Sequence, residues 1–451
     1  RRQRQMCIRD RVCSALLTIA TFSLVPAQSV AHADSAQLAS RFTMGVFPDT
    51  QYASAGSIPA SHHFMNRYGS EPYKVQTQWL ADNKKAFGLK FVVHLGDVVN
   101  NSVNEGQWKA ADAAMSILEK GGVPYSVLPG NHDMGPIPVV GGSVNKLAEE
   151  VGRYADYGAS KVNYPGTIGV ETKPSVFSGS KATKELPFYS KWFSAERAQK
   201  NPTFRERFNE LNNESEYHIF SAEGHSFLVL ALAYQASDRV LRWAQKVLDA
   251  HPTLPAILTT HEILVKGGDK RDIQFTKGYG EHLWNDFIKE NDQIFLTLCG
   301  HNAGSGTLVT KNNKGHSVVN VLQDYQESYE GGNGLLGLLQ FDFTHNTMEM
   351  LAASPCAAKK PAKILVNEDV LYYQNERDSF IEHMDFAQRF AGFTRFVVNH
   401  KDENDPDYLD IARRNLRCRQ PSLKPVTTPS KLPAYLEMPK SFVPTGRTGK
   451  Q

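Results

Sequence analysis

The fold is decided by residues 89–133, where two apolar runs end on polar residues: LKFVVHLGD at 89–97 and VPYSVLPGNHD at 123–133. Runs this rich in Val, Leu and Phe are typical of strands that are buried on both faces of a sheet. Three further segments share the design. They are residues 43–51, 256–261 and 294–301, which end on Asp49-Thr50-Gln51, His261 and Gly300-His301. Binding sites form at the carboxyl ends of such strands, so the sequence predicts a site there.

If the five strands lie side by side, their polar ends converge on one point. The converging side chains would be Asp49, Gln51, Asp97, Asn131, His261 and His301. Carboxylate, amide and imidazole groups are ligands of divalent metals. The sequence therefore predicts two metal ions, with Asp97 as the bridging carboxylate.

The order of these segments resembles the calcineurin-like metallophosphoesterase superfamily. Its pattern is Asp-x-His, Gly-Asp, Gly-Asn-His-Asp/Glu, a lone His and Gly-His-x-His. This chain has, in order, Asp49-Thr50-Gln51, Gly96-Asp97, Gly130-Asn131-His132-Asp133, His261 and Gly300-His301-Asn302-Ala303. One short motif is a weak signal, whereas five in order, each after a strand, are specific. The resemblance covers roughly residues 42–345. It implies an α/β fold, the four-layer αββα sandwich of two packed mixed sheets flanked by helices, with the metal site at the carboxyl ends of the strands.

Two positions depart from the family pattern, and both concern the same ion. In the family, the first and last His serve one ion, and this chain has Gln51 and Ala303 there. The other ion would keep its full set. That set is Asp97, Asn131, His261 and His301. An amide oxygen is a weaker, harder donor than imidazole, so the first position should prefer Mg²⁺, Mn²⁺ or Ca²⁺ over Zn²⁺, or fill poorly. The resemblance thus implies two divalent ions, their identity open among Mn, Fe, Mg, Ca and Zn.

The resemblance also implies a chemistry. A hydroxide that bridges the two ions would be the nucleophile in the hydrolysis of phosphate mono- or diesters. His132 would protonate the leaving oxygen or stabilise the transition state, and Asp133 would hold the far ring nitrogen and fix its tautomer. The Asp-Thr-Gln variant is similar to a secreted bacterial branch of the superfamily. The alternative is a non-catalytic or single-metal protein that binds a phosphorylated surface ligand.

The amino-terminal residues predict export. Residues 1–11 resemble the translation of a sequencing adapter, which predicts that they are not native. Residues 12–33 predict a signal peptide, because their apolar stretch is too short to span a bilayer and they end in Ala31-His32-Ala33, a cleavage pattern. The predicted location is secreted or periplasmic, after cleavage near Ala33. No transmembrane anchor is predicted.

The net charge argues against a nucleic-acid partner. The full sequence carries +3, and residues 1–33 contain five Arg and one Asp, so the remainder carries −1. Binding to a phosphate backbone normally needs a basic surface. The expected partner is instead a phosphorylated small-molecule or cell-envelope substrate, and the sequence leaves the oligomeric state open. Cys356 and Cys418 could pair in an oxidising compartment or remain free.

Helical periodicity appears between the strands. It predicts helices at residues 105–120, from Ser237-Asp238 onward, and at residues 279–289. Two regions do not belong to the common scaffold of the predicted phosphoesterase domain, residues 42–345. Within that domain, residues 134–214 form an aromatic-rich insertion that is a candidate substrate wall, or else a small packed subdomain. Beyond it lie a C-terminal extension, residues 351–419, and a Pro/Lys/Ser/Thr-rich tail, residues 420–451, predicted to be disordered.

Overall fold

The computed structural model describes residues 41–51, 53, 72–100, 102, 104–134, 188–208, 214–267, 272–398, 407–423 and 425–427. Its strands are β1 (Arg41–Phe47), β2 (Leu89–His94), β3 (Tyr125–Val127), β4 (Phe204–Arg207), β5 (Glu216–Ala222), β6 (His225–Leu232), β7 (Ala256–Thr260), β8 (Leu264–Lys266), β9 (Ile273–Phe275), β10 (Ile294–Cys299), β11 (Gly304–Lys311), β12 (Ser317–Asp324), β13 (Leu336–Asp342), β14 (Thr347–Ala353) and β15 (Ile381–His383). Its regular α-helices are α1 (Pro72–Asp82), α2 (Glu105–Lys120), α3 (Phe188–Trp192), α4 (Ala195–Ala198), α5 (Asp238–Ala250), α6 (Tyr279–Leu283), α7 (Phe386–Phe390) and α8 (Tyr408–Arg419). One further helical turn, Tyr329–Gly332, has left-handed backbone angles at Glu330 and Gly331. The predicted adapter and signal-peptide segments lie outside these residues.

The strands form two large mixed sheets. Sheet A has the order β15-β14-β13-β1-β2-β3, with β1, β2 and β3 parallel. Sheet B has the order β11-β12-β10-β7-β6-β5-β4, with β6, β7, β10 and β12 parallel. Strands β8 and β9 form a separate two-stranded antiparallel sheet. The predicted strand ends therefore come from two sheets, with β1, β2 and β3 in one and β7 and β10 in the other, and not from five neighbouring strands.

The two sheets pack face to face. Phe42, Met44 and Val46 of β1 join Phe227 of β6 and Phe295 of β10 in one apolar cluster between the sheets. The outer face of sheet A is covered by α1, α2 and α8, and that of sheet B by α5 and α6. Strands β1, β7 and β10 are buried along their whole length, and buried central strands of this kind have largely apolar sequences. The predicted four-layer αββα sandwich is confirmed.

The helices follow their sequence signals closely. Helix α2 begins after Asn104, whose side chain accepts from the backbone N–H groups of Gly106 and Gln107, and it ends at Gly121. Its predicted apolar face is buried. The residues of that face are Trp108, Ala111, Met115 and Leu118. Ser237 precedes α5 as predicted, although its side chain makes no capping hydrogen bond. The helix predicted for residues 279–289 is α6 followed by a π-helical turn, Trp284–Ile288.

The C-terminal region is part of the sandwich. Strands β14 and β15 complete the edge of sheet A, and α8 buries Leu409, Ala412 and Leu416 beside α1 and α2. The first residues of the predicted tail also belong to the folded body, since the backbone N–H of Val426 donates to the carbonyl oxygen of Tyr372 at 3.2 Å. The predicted domain ends at residue 345 and the predicted extension begins at residue 351, so the boundary between them falls inside sheet A. Residues 428–451 lie outside the described part.

The described end of the insertion packs against the helices. Tyr189 and Phe193 lie in the same cluster as Trp108, and the Tyr189 hydroxyl donates to the carbonyl oxygen of Val127 at 2.9 Å. These two side chains are buried in the cluster that includes α2. Residues 135–187 and 209–213 of the insertion are outside the described part, so its role as a substrate wall stays a prediction.

No disulfide joins Cys356 to Cys418 in the structure, where Cys356 is buried and Cys418 is exposed, so the pairing that the sequence left open is not formed in this conformation. Among the described residues, no helix combines the length and the apolar character needed to cross a bilayer.

Candidate metal centre

The predicted ligands meet where the carboxyl edges of the two sheets face each other. Sheet A contributes Asp49, Asp97 and Asn131, which follow β1, β2 and β3. Sheet B contributes His261 after β7 and His301 after β10. Backbone hydrogen bonds tie these turns together, since the Thr50 N–H donates to the Asp97 carbonyl oxygen at 3.1 Å and the Gly300 N–H donates to the His261 carbonyl oxygen at 3.0 Å.

One half of the site is tightly assembled. His261 Nε2 lies 3.0 Å from Asn131 Oδ1 and 3.3 Å from Asp97 Oδ1. His301 Nδ1 lies 3.0 Å from the same Asn131 oxygen and 3.2 Å from His261 Nε2. The ligand atoms of Asp97, His261 and His301 all fall within 4.8 Å of one another. These are the four residues predicted for the second ion, and the structure brings all four together.

The chemistry of these atoms fits a cation. His261 Nδ1 lies 2.8 Å from the Leu95 carbonyl oxygen, so Nδ1 carries the proton and Nε2 presents a lone pair. That lone pair faces oxygen and nitrogen atoms that are themselves acceptors. Without a cation, the repulsion between these acceptor atoms is reduced only if the cluster takes up an extra proton. Burial disfavours the imidazolium, but the carboxylates of Asp97 and Asp49 raise the pKa of His261 to about 10.

The same electrostatics affect the other ligands. Burial and the charge of His261 lower the pKa of His301 to about 3, so this ring is neutral and able to ligate. Burial opposes ionisation of Asp97, but the charge and hydrogen bond of His261 lower its pKa. Burial, with the charge of Asp324 next, holds the pKa of Asp49 well above its usual range. A divalent ion would replace the proton on His261 as the balancing charge.

Close approach of the backbones explains the glycines of the pattern. A Cβ atom on Gly130 would lie 2.2 Å from Asp97 Oδ1, and one on Gly300 would lie 2.0 Å from Asp49 Oδ1. Asp97 and His301 adopt left-handed backbone angles, with φ of +47° and +67°. Such strain in non-glycine residues concentrates at functional sites.

The other half of the site is less complete. Asp49 accepts the backbone N–H of His301 at 3.2 Å on each of its carboxylate oxygens, and its Oδ2 lies 4.0 Å from His261 Nε2. Gln51 is buried in the turn that follows β1, two residues after Asp49. Its role as a ligand remains a prediction. Ala303 lies in the turn before β11, and its methyl side chain cannot bind a metal.

His132 lies beside the ligands with its ring partly exposed. Its backbone N–H donates to Asp97 Oδ1 at 2.9 Å, and its Nε2 lies 4.0 Å from Asp97 Oδ2. Its Nδ1 lies 2.8 Å from the Asn100 carbonyl oxygen and therefore donates to it. This contact leaves Nε2 as the atom that gains or loses a proton on the metal side. The position suits the predicted general acid.

Asp133 does not hold the His132 ring, so this predicted contact is wrong. The Asp133 carboxylate is fully buried and accepts three backbone N–H groups, those of Val98, Val99 and Gly130, at 2.8 to 3.0 Å. It ties the turn after Asp97 to the turn before Asn131. Asp133 is therefore a positioning residue for two ligand turns. The contact to the far ring nitrogen of His132, predicted for Asp133, is made by the Asn100 carbonyl oxygen.

We expect Asp133→Ala to lower the free energy of unfolding by about 3 kcal/mol or more, because each buried N–H left without an acceptor costs about 1–3 kcal/mol. Metal affinity should fall with it. Chemical denaturation measures the first effect and calorimetric metal titration the second. Asp249→Ala, on the exposed face of α5, is the control and should stay within about 0.5 kcal/mol of the parent. A parent-like Asp133→Ala would contradict the positioning role.

Two residues at this site do not belong to the predicted ligand set. Asp324 is the buried last residue of β12, and Tyr234 packs its ring 5.6 Å from that of His261 and 5.3 Å from that of His301. A signal for Asp324 exists in the sequence, since the segment Val318–Leu322, apolar except for Asn320, ends at Gln323-Asp324 much as the other five segments end on polar residues. Tyr234 carries no such signal.

Comparison with known proteins identifies the class. The calcineurin-like phosphoesterase family model matches residues 45–330, and the chain belongs to this family. A protein of Bacillus subtilis (strain 168), the uncharacterized protein YvnB, is 30% identical over 325 residues. That match covers 71% of this chain and 20% of the relative, so the chain spans about a fifth of the relative's length.

Two solved structures are similar at low sequence identity. Purple acid phosphatase PPD1 from yellow lupin seeds aligns with a TM-score of 0.41 and 14% identity, over 79% of this chain and 56% of its own. A putative 5'-nucleotidase from Staphylococcus aureus aligns with a TM-score of 0.35 and 10% identity, over 84% of this chain and 58% of its own. Family membership supports a metal-dependent phosphoester hydrolase in general.

Proposed function

We propose that this protein hydrolyses phosphate mono- or diesters with two divalent ions, and that it acts outside the cytoplasm. The convergence of Asp97, Asn131, His261 and His301 on one point is the observation that carries the proposal. Potential metal ligands from two sheets meet there at 3.0 to 3.3 Å. Such an arrangement of buried carboxylate, amide and imidazole groups is costly unless a cation or an extra proton balances it.

The chain's residues divide the work of the reaction. Asp97, Asn131, His261 and His301 would hold one ion, and Asp49 with Gln51 and the shared Asp97 would contribute to the other. When bound, the ions would supply Lewis-acid charge neutralisation and a water of lowered pKa. His132 Nε2 would give a proton to the leaving oxygen, while its Nδ1–H stays on Asn100. Asp133 keeps the ligand turns at a fixed spacing.

The extracellular location rests on the sequence. Residues 12–33 carry the apolar stretch and Ala-x-Ala pattern of a signal peptide, and the near-neutral remainder favours a small-molecule or cell-envelope phosphoester over nucleic acid. Fractionation of cells that express the native gene, followed by amino-terminal sequencing, tests this part. A cytoplasmic, uncleaved protein would overturn it.

The competing function is a single-metal protein that binds a phosphorylated surface ligand. One observation favours it, namely that Ala303 offers no side-chain donor at the first position. Turnover of a panel of alkyl and aryl mono- and diesters, with Mg²⁺, Mn²⁺, Fe²⁺, Ca²⁺ and Zn²⁺ added separately, decides between the two. Hydrolysis with at least one metal supports the enzyme. No turnover across the panel, together with one bound ion per chain, supports the binding protein.

Gln51→His should shift the metal preference toward Zn²⁺ or Fe²⁺, because imidazole is a softer ligand than an amide oxygen. We expect the activation profile across the five metals to change while the second ion is retained. Metal content and turnover, measured on the same samples, check this. Gln388→His, which adds an imidazole on the exposed face of α7 away from the ligand turns, is the matched control. An unchanged profile in Gln51→His would show that Gln51 is not a ligand.

A further inference from the structure

Asp324 is a buried carboxylate that the predicted metal shell does not use. It is the last residue of β12 and is 0% exposed. A carboxylate is rarely buried so completely unless a partner compensates its charge. Its position and partners indicate what that compensation is.

The strand registers place Asp324 at the edge of the metal centre. Strand β12 is parallel to β10, and the last pair of their register is Leu322 opposite Cys299, so Asp324 lies beyond the end of β10, where Gly300 and His301 follow. Strand β11 is antiparallel to β12, with Gly304 opposite Asp324. Ala303 directly precedes Gly304 in the chain. The backbone of Asp324 is thus beside the segment in which the family's last histidine is missing.

Hydrogen bonds fix the orientation of this carboxylate. Asp324 Oδ1 accepts the backbone N–H of Gln326 at 2.9 Å, and Oδ2 accepts the Gln326 side-chain Nε2 at 3.1 Å. The same Nε2 lies 3.4 Å from the carbonyl oxygen of His301 and donates to it. Gln326 therefore connects Asp324 directly to a metal ligand. Second partners of this kind are typical of carboxylates that bind metals.

The Gln326 amide gives an independent indication of a cation. Both of its neighbours, Asp324 Oδ2 and the His301 carbonyl, are acceptors, so the amide must turn its nitrogen toward them. Its Oε1 then finds no hydrogen-bond donor within the described residues, although Gln326 is only 8% exposed. A buried acceptor without a donor is costly and indicates an ion or water at that point.

The charges at this edge also favour a bound cation. In the described part of the chain, the ion-pair partners of Asp49 and Asp97 are histidines. Asp324 adds a third buried carboxylate at this edge. Neighbouring buried carboxylates repel each other unless a cation or a proton compensates their charge.

We propose that Asp324 is a ligand of the first metal ion, in place of the imidazole that Ala303 lacks, and that Gln326 orients it. This inference rests on the proposed two-ion function. The first ion would then be held by oxygen donors alone, from Asp49, Gln51, Asp97 and Asp324. An all-oxygen shell selects Mg²⁺, Mn²⁺ or Ca²⁺ over Zn²⁺. The replacement of two family histidines, at Gln51 and Ala303, would then change which metal the first position prefers, while the number of its ligands stays the same.

The test is Mn²⁺ binding by metal-free protein, measured by calorimetry and by metal analysis after dialysis. Asp324→Asn removes the charge and keeps an oxygen for the Gln326 N–H, so a purely structural role would survive it. Asp378→Asn is the matched control, a buried aspartate that accepts from Ser305 and Asn375. We expect two ions in the parent and in Asp378→Asn. In Asp324→Asn, one ion should bind normally and the other about 100-fold more weakly or not at all.

The outcomes separate the two claims. Two ions with parent-like affinities in Asp324→Asn would overturn the inference, while turnover by the two-ion parent would leave the proposed function standing. A parent that binds one ion or none would overturn both. If Asp324→Asn does not fold, as judged by circular dichroism, Asp324→Glu replaces it. That variant keeps the charge but moves the carboxylate, so a weaker affinity at one ion supports the inference and unchanged affinities at both overturn it.

Discussion

Asp97→Ala should lose both metal ions and at least about 10³-fold in turnover. Asp97 Oδ1 lies 3.3 Å from His261 Nε2, and its backbone and side chain both contact the turns that carry the other ligands. Metal-derived stabilisation amounts to several kcal/mol, and each 1.4 kcal/mol is about a factor of ten in rate. Metal analysis and turnover on the same preparation measure the two effects.

His301→Ala is the informative comparison for Asp97→Ala. It removes a ligand of the second ion only, so one ion should remain bound. Asp249→Ala, on the exposed face of α5 and away from the ligand turns, should retain both ions. If Asp97→Ala holds as much metal as the parent, the bridging role assigned to Asp97 is wrong.

His132→Asn should lose about 10² to 10⁴ in turnover on alkyl phosphoesters, the range typical of a lost proton donor. The loss should shrink on nitrophenyl esters, because nitrophenolate leaves without a proton. Metal content should not change, since the His132 ring contacts Asn100 and lies 4.0 Å from Asp97 Oδ2. Paired kinetics on the two ester types measure the difference.

Two controls make this result specific. His316→Asn changes a histidine in the turn between β11 and β12, at the opposite end of these strands from the site, and should leave both rates unchanged. Equal slowing of both ester types in His132→Asn would mean that His132 stabilises phosphoryl oxygens. If neither ester slows, the role implied by the family pattern does not hold in this chain.

Much of the fold could be predicted because local signals and global packing agree. Strand β7 and strand β10 have the predicted bounds, and α2 begins and ends at its predicted residues. The division of the strands between two sheets could not be read from periodicity, because a strand buried by a second sheet and one buried by a helix have the same apolar pattern. Nor could the sequence show that β14 and β15 complete sheet A.

The metal ligands could be predicted from the sequence where each one directly follows its own strand. The second-ion set came together because Asp97, Asn131, His261 and His301 all occupy strand ends. Asp133 was misplaced because its partners are backbone N–H groups, which no side-chain pattern reveals. Asp324 was passed over because the family pattern assigns no residue there, although its strand ends as the other five do.

The most direct test of a two-ion phosphoesterase is stepwise loading of metal-free protein with Mn²⁺, with bound metal and phosphoester turnover followed in the same samples. We predict two bound ions per chain at saturation, and turnover that reaches its maximum only with the second equivalent. Saturation at a single ion, or at none, with no turnover of any ester in the panel would contradict the account.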